Sequence, residues 1–342
     1  MHGGDIYRFA REQQREPESA LDFSANMNDF IQVKNMKINS VYIKNYPEVN
    51  LEFYKSIVSE QKFKNENITI TPGLTFFIYH YMASLDGNVI IISPAFTEYI
   101  YAATVSQRII LPFNVINKNP GIIENYSFDA LFMVYPDNPT GQIMSKKNIV
   151  KILDICAKKN ARLFLDESFI WFVNNRDLDE VELIESYPNL IIGRSLTKIL
   201  SVPGLRLAYV ISSDNNISEI EKNLEPWRIS QPALLYLRTA NMNFNGIPEM
   251  VEKERNYVVK SMESINIKLI GSPRANFATF ELPAGIDGMN MKKFLAERGI
   301  MIRLLDDYQE FGINYIRISI KKHRKNNVLI RSIREYMGGR HD

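Results

Sequence analysis

The sequence predicts an α/β fold: a mostly parallel sheet covered on both faces, followed by a smaller α+β domain. Three observations carry this. Seven short apolar runs recur with helix-like segments between them, polar residues capable of chemistry fall just after those runs, and the pattern changes after about residue 230.

The runs lie at residues 68–71, 89–92, 109–111, 131–135, 162–165, 190–192 and 207–211. Being nearly continuous in β-branched and aromatic residues, they suit strands buried on both faces, as in a parallel sheet. Between them, residues 145–160 have helical periodicity and open at Ser145, whose hydroxyl can accept from an otherwise unpaired backbone N–H. Beyond residue 230 comes one long helical stretch, 232–264, and then short strands at 277–282, 301–303 and 315–320. The last alternates apolar and polar residues, the pattern of a half-exposed antiparallel strand.

The chain has 342 residues, 45% apolar and 23% charged, ordinary values for a globular protein with a substantial core. A formal net charge of +2 argues against an electrostatic nucleic-acid binder, and the one basic run, 321–325, reads as a solvated face. The single cysteine, Cys156, excludes an intrachain disulfide and falls on the apolar stripe Ile149, Ile152, Leu153, Cys156, so it reads as a core residue. His2, His80, His323 and His341 lack metal-ligand spacing, and no metal is expected. No stretch is long and apolar enough to cross a bilayer, and Met1 to Asp5 lacks a basic region followed by an apolar one, so a cytoplasmic location is expected.

The polar signals are ordered. Thr71-Pro72-Gly73-Leu74-Thr75 follows the first run, Ser93-Pro94-Ala95-Phe96 the second, and Asp137-Asn138-Pro139 the fourth; Asp166 ends the fifth and Ser195-Leu196-Thr197-Lys198 follows the sixth. Ligands of open α/β sheets bind beyond the carboxyl ends of the strands, so five segments are expected to converge on one crevice.

Lys198 is flanked by the hydroxyls of Ser195 and Thr197 and is followed eight residues later by Arg206. Such a group can hold pyridoxal 5′-phosphate: the amine condenses with the aldehyde, while the hydroxyls and the guanidinium receive the phosphate. A carboxylate must keep the ring nitrogen protonated, and Asp166 is the candidate. Asn138 could donate to the ring's 3-oxygen and Phe96 could stack on its face. Gly73, Leu74 and Thr75 open a helix whose amides could cradle the phosphate. Arg317 is a candidate partner for a substrate carboxylate through a two-point contact. Taken singly, each has a plainer reading: Asp166 as a helix cap, Asn138-Pro139-Thr140-Gly141 as a turn, Phe96 as packing, and Arg317 as a solvent-facing strand residue. Their shared order and spacing favour the joint reading.

With those residues in view, the sequence resembles the fold-type I pyridoxal-phosphate enzymes, in the branch holding histidinol-phosphate aminotransferase and threonine-phosphate decarboxylase, over nearly the whole chain. Within that branch, His2-Gly3-Gly4, Leu21-Asp22-Phe23-Ser24-Ala25-Asn26-Met27-Asn28 and Arg194-Ser195-Leu196-Thr197-Lys198 resemble the decarboxylase more closely. So does Asp166-Glu167-Ser168-Phe169, because the aminotransferases typically carry tyrosine where Phe169 stands.

The resemblance implies a larger domain at 41–231 carrying a mostly parallel seven-stranded sheet, a smaller α+β domain at 232–342, and a segment 1–40 joining the smaller one. It implies Lys198 as the Schiff-base lysine, Asp166 on the ring nitrogen, Asn138 on the 3-oxygen and Arg317 on the α-carboxylate. Tyr46 matches a tyrosine that reaches the cofactor phosphate of a neighbouring subunit, implying a homodimer with shared active sites. His2, Gly3, Gly4 and Asn26 would lie over the site and help bind a substrate phosphate. Two departures stand out: Asn45 where arginine is common, and Thr71-Pro72-Gly73 in place of a Gly-x-Gly.

The activity implied is decarboxylation of an O-phospho-amino acid, L-threonine O-3-phosphate or L-serine O-phosphate, to an amino-alcohol phosphate for cobalamin assembly. The alternative is a histidinol-phosphate-type aminotransferase using the same lysine, aspartate and arginine. The order of residues cannot choose between them, because the choice lies in which α-bond stands perpendicular to the ring.

Overall fold

A computed structural model describes residues 3–59, 63–103, 108–176 and 179–338. The seven apolar runs are seven strands of one sheet: β1 (Ile68–Thr71), β2 (Val89–Ser93), β3 (Arg108–Pro112), β4 (Ala130–Val134), β5 (Arg162–Asp166), β6 (Leu190–Ser195) and β7 (Ala208–Ile211). Their order is β1-β7-β6-β5-β4-β2-β3. All run parallel except β7, which is antiparallel to both of its neighbours. Successive side chains point to opposite faces, so Ile90, Leu131, Leu163 and Ile192 enter one core, and Ile91, Phe132, Phe164 and Ile191 enter the other. Burial on both faces is the physical reason the inner strands are so rich in apolar residues, whereas the edge strand β3 buries only Leu111 fully.

The helix Lys146–Lys158 begins where Ser145 Oγ accepts from the backbone N–H of Asn148 at 3.4 Å. It buries Ile149, Ile152, Leu153 and Cys156 against the sheet. Burial pushes the Cys156 thiol up to about 12, which leaves it without nucleophilic character at neutral pH.

Beyond the sheet the structure departs from the expectation of one helix over 232–264. There are two, Gln231–Thr239 and Ile247–Glu263. Asn241 and Asn243 each accept, through Oδ1, from the backbone N–H two residues on at 3.0 Å, and Gly246 adopts φ 80°. These local bonds offer the backbone an alternative to the helical ladder. Ala233, Leu234 and Leu237 of the first helix pack into the core of the large sheet. The second helix starts there with Ile247 and Val251 and ends with Val258 and Met262 in a third core. The chain therefore passes between cores inside this helix rather than at residue 231.

The third core backs a smaller antiparallel sheet of β8 (Lys268–Ile270), β9 (Phe277–Glu281), β10 (Arg303–Leu304) and β11 (Tyr315–Ser319), in the order β10-β11-β9-β8. The strand expected at 301–303 is divided: Ile300–Met301 pairs in parallel with Leu21–Asp22, while Arg303 and Leu304 pair with β11. The N-terminal segment thus joins the smaller sheet and buries Phe23 in its core, yet Phe30, Ile31 and Met36 pack on the large one.

That segment overturns a further expectation. β11 is not half-exposed, since Ile316 to Ser319 are all buried. Its polar face is covered by the strap: Arg317 Nη2 donates to the carbonyl of Ser24 at 2.7 Å, and the Ser319 N–H to that of Phe23 at 3.0 Å. The basic run 321–325 is exposed at 322–325, as expected of a solvated face, and departs from that expectation only at its first residue. Lys321 is buried, with Nζ 3.4 Å from the carbonyl of Met27, and Lys325 pairs with Asp29 at 2.5 Å. Alternation reports the chemistry of a face but not what another part of the chain lays over it.

Candidate active site

The strand tips meet a cavity of about 410 Å³ between the two sheets. A wider opening of about 700 Å³ lies beside Trp171 and Phe244, but only the smaller cavity gathers a lysine, a carboxylate and several arginines. The large sheet contributes Leu74, Thr75, Phe96, Asn138 and Asp166, and the turn into the helix Leu196–Ile199 contributes Ser195, Thr197 and Lys198. From the other side come Gly3, Gly4 and Asn26 of the strap, with Arg303 and Arg317 of the smaller sheet.

Asp166 ends β5 and is buried. Its Oδ2 accepts from the Tyr99 hydroxyl at 2.7 Å and its Oδ1 from the Ser168 N–H at 2.9 Å. Burial raises its pKa, while the Ser168 and Tyr99 bonds and the charge of Lys198 oppose that rise. Among the described residues it has no salt-bridge partner, so its carboxyl is left to pair with a cation that enters the cavity. Tyr99 carries no sequence signal of this role, because it sits in the five-residue helix Glu98–Ala102 and reaches Asp166 only through folding.

Burial lowers the Lys198 amine to about 8, helped by the positive charges of Arg317 and Arg206 and opposed by Asp166 and Asp22. A fraction of this amine is unprotonated near neutrality, as condensation with an aldehyde requires. The backbone carbonyl of Lys198 accepts from the Asn28 N–H at 3.0 Å, which anchors the strap to the turn that carries the lysine.

Gly73 caps the helix Leu74–Ala83 with φ 85°, a conformation that disfavours any side chain. A Cβ there would stand 2.6 Å from Arg206 Nη2. The glycine therefore leaves open a cradle between the first amides of a ten-residue helix and a guanidinium, which suits a phosphate. Ser195 and Thr197 are buried beside it, although Thr197 Oγ1 also donates to the carbonyl of Leu207 at 3.2 Å.

The Asn138 turn is built by Asp137, whose Oδ1 accepts from the N–H groups of Thr140 and Gly141, each at 2.8 Å. Asn138 Oδ1 accepts from Arg317 Nη1 at 2.6 Å, so its amide nitrogen is left as the donor. Arg317 is buried, and its Nε has no partner among the described residues. Arg303 stands opposite Arg317 in the β10–β11 register, is equally buried, and is held by both oxygens of Asp307 at 2.6 Å. Arg303 went unread in the sequence; the signal available was an arginine at an inward position of a short strand. Tyr308, whose hydroxyl burial pushes up to about 12, also lines the cavity.

The strap is fitted closely. The Gly4 N–H donates to Ser24 Oγ at 2.8 Å, and a Cβ on Gly3 would collide with the carbonyl of Ser24. Asn26 is buried with Oδ1 unpartnered among the described residues. His2 lies outside the described residues. Tyr46 does not reach this cavity: it is 81% exposed and packs at a tilt against Trp227, with ring centroids 4.8 Å apart.

A partly neutral amine, an ion-pair-free buried carboxylate and a glycine cradle under an arginine fit the aldehyde, the ring nitrogen and the phosphate of pyridoxal 5′-phosphate.

A family profile described as aminotransferase class I and II matches residues 26–333. The chain is 28% identical over 334 residues to histidinol-phosphate aminotransferase 2 of Archaeoglobus fulgidus, covering 93% of each protein. It is 25% identical over 355 residues to threonine-phosphate decarboxylase of Salmonella typhimurium, covering 99% of this chain and 97% of that one. Its fold is similar to that of the histidinol-phosphate aminotransferase from Clostridium acetobutylicum, with a TM-score of 0.82 at 23% identity over 93% of this chain and 99% of that one.

Proposed function

Because the chain belongs to the aminotransferase class I and II family, with pyridoxal 5′-phosphate as its cofactor, we propose that it decarboxylates a short O-phosphorylated amino acid. L-threonine O-3-phosphate and L-serine O-phosphate are the candidate substrates, and the product is an amino-alcohol phosphate of the kind used in cobalamin assembly. One observation supports this above others: Arg303 and Arg317 are paired across β10 and β11, both buried and both lining one cavity. Residues directly opposite on antiparallel strands project to the same face. Two fixed guanidiniums side by side, one of them oriented by Asp307 through Nη2, suit a substrate whose carboxylate and phosphate are only a few bonds apart. Phe169 supports the same reading, since it gives the cavity an apolar edge, packed on Phe277 at 4.8 Å, where a hydroxyl would otherwise bond the ring oxygen.

When bound, the cofactor supplies an electron sink for whichever α-bond lies perpendicular to its ring. The protein's part is orientation and proton handling. Asp166 keeps a proton on the ring nitrogen. Arg317 grips the carboxylate at two points and Arg303 takes the phosphate, so together they fix the rotation about the α-carbon. Lys198, buried and with its amine lowered to about 8, can carry a proton to that carbon. Gly3, Gly4 and Asn26 cover the site and keep water out.

A homodimer belongs to the same proposal. Ile43, Tyr46, Val49, Phe53 and Trp227 are exposed apolar residues, and a second copy laid over them would bury the patch and carry Tyr46 toward the neighbouring site. Among the described residues, no helix is long and apolar enough to cross a membrane. A cytoplasmic location is part of the proposal.

The second reading, histidinol-phosphate-type amino transfer, is favoured by the Archaeoglobus relative. Threonine phosphate and serine phosphate assayed side by side for carbon dioxide, against 2-oxoglutarate-dependent amino transfer, separate the two. Carbon dioxide is expected, and transfer without it overturns the decarboxylase reading. Arg303→Gln is expected to raise KM for the phosphorylated substrate roughly 10–100-fold, the range for losing a charge-assisted hydrogen bond.

A further inference from the structure

Behind the cavity lies a second cluster of charges that the proposed chemistry does not use. Glu167 follows Asp166, and Arg194 precedes Ser195, on neighbouring strand tips where the Glu167 N–H donates to the Gly193 carbonyl at 2.7 Å. Alternation turns both side chains away from the cavity. Both are buried, and Arg194 Nε donates to Glu167 Oε2 at 2.7 Å. The pair thus ties the tip that carries Asp166 to the tip that leads into Lys198.

Glu180, from the short helix Glu180–Leu183, is fully buried and close enough to Glu167 to feel its charge. Neither of its side-chain oxygens has a hydrogen-bond partner among the described residues, and nor does Glu167 Oε1. The other charged groups facing it are Arg176, 3.7 Å from Glu180 Oε2, and Asp179, 3.7 Å from Arg194. The phenols of Tyr135 and Tyr209 face the same cluster from β4's end and β7. With Glu180 neutral, Glu167 and Asp179 balance Arg176 and Arg194. With Glu180 ionised, the cluster carries an uncompensated buried charge.

We propose that Glu180 is a positioning residue for Asp166 and Lys198: as the neutral acid it donates to Glu167 Oε1 and so completes the brace on Arg194. One shared proton satisfies orphaned oxygens on both carboxyls. Burial and the neighbouring Glu167 push Glu180 up to about 9, in keeping with a proton retained through neutral pH. The proposal rests on the reading of Asp166 and Lys198 as the cofactor-holding pair.

Glu180→Gln keeps a donor but cannot ionise, and two measurements test it. In the cofactor-free protein, wild type should lose thermal stability relative to the variant continuously from about pH 5 to about pH 9, because the folded state retains a proton that the unfolded chain releases near 4.5. Parallel curves would overturn the neutral acid. In the wild-type holoenzyme a change in visible cofactor absorbance and in kcat is expected near pH 9, and it should be lost or displaced in the variant. Superimposed profiles would make Glu180 merely structural and overturn its positioning role. A failure of the underlying site reading shows separately, as no cofactor bound at Lys198 in either protein, and overturns both.

Discussion

Arg317 Nη1 donates to Asn138 Oδ1 at 2.6 Å. The guanidinium proposed for the substrate carboxylate and the amide proposed for the cofactor ring therefore share a hydrogen bond, although one lies on the smaller sheet and the other in a turn beyond the large one. Arg317 holds the amide's oxygen, which aims its nitrogen as a donor.

This contact predicts coupling. Asn138→Ala and Arg317→Lys should each lower kcat/KM, and the double variant should lose less than their sum by about 0.5–3 kcal/mol, as for residues in one network. A cycle of kcat/KM values with threonine phosphate checks it. Strict additivity would mean that the two act independently.

Asp166→Asn should separate stability from activity. Burial raises the carboxyl's pKa, so the folded state binds its proton more tightly than the unfolded chain does, and stability is lost as pH rises above the ordinary value of 3.8. Asparagine removes that penalty, and the cofactor-free variant should melt higher than wild type at neutral pH. With cofactor, kcat should fall roughly 10²–10⁴-fold, the range for a lost acid–base group. Calorimetry and steady-state kinetics on one preparation check both.

Lys198 should respond to its arginines. Burial lowers it to about 8, with Arg317 and Arg206 adding to the effect. Arg317→Gln removes one like charge, so the amine should titrate at higher pH and capture cofactor more slowly at neutrality. The pH–rate profile of cofactor uptake should shift to the alkaline side, and an unmoved midpoint would refute the coupling. The linkage sign follows: because the unfolded lysine holds its proton up to 10.5, its burial opposes folding below about pH 8 and that penalty fades between the two values.

Gly73→Ala should damage cofactor binding specifically. Its φ of 85° costs an L-residue about 1–2 kcal/mol, and the new methyl would crowd Arg206 Nη2. Affinity for pyridoxal phosphate, followed by absorbance titration, should weaken more than the melting temperature falls. Unchanged affinity would place the phosphate elsewhere.

All seven strands of the large sheet could be read from the chain, because burial on both faces of the inner strands demands short, nearly continuous apolar runs, and the edge strand β3 keeps the β-branched residues Ile109 and Ile110 although it is largely exposed. The gathering of Asn138, Asp166 and Lys198 was readable for a related reason: residues just after parallel strands share one edge by topology. The helix break at 240–246 was not, since single Asx bonds and a glycine weigh little against a periodic pattern. Tyr99 and Arg303 were also hidden. Each belongs to an element too short to carry periodicity, and each acquires its partner from a part of the chain far away in sequence.

The amino-acid order by itself determined the α/β layering, the strand tips and the lysine–aspartate pair, since these depend on local hydrophobic pattern and on parallel topology. Only the tertiary structure decided that the N-terminal strap covers β11, that Arg303 stands beside Arg317, and that Glu167 and Arg194 brace the site from behind. Those features come from segments meeting across tens to hundreds of residues, and no local pattern encodes which buried surface another segment will cover.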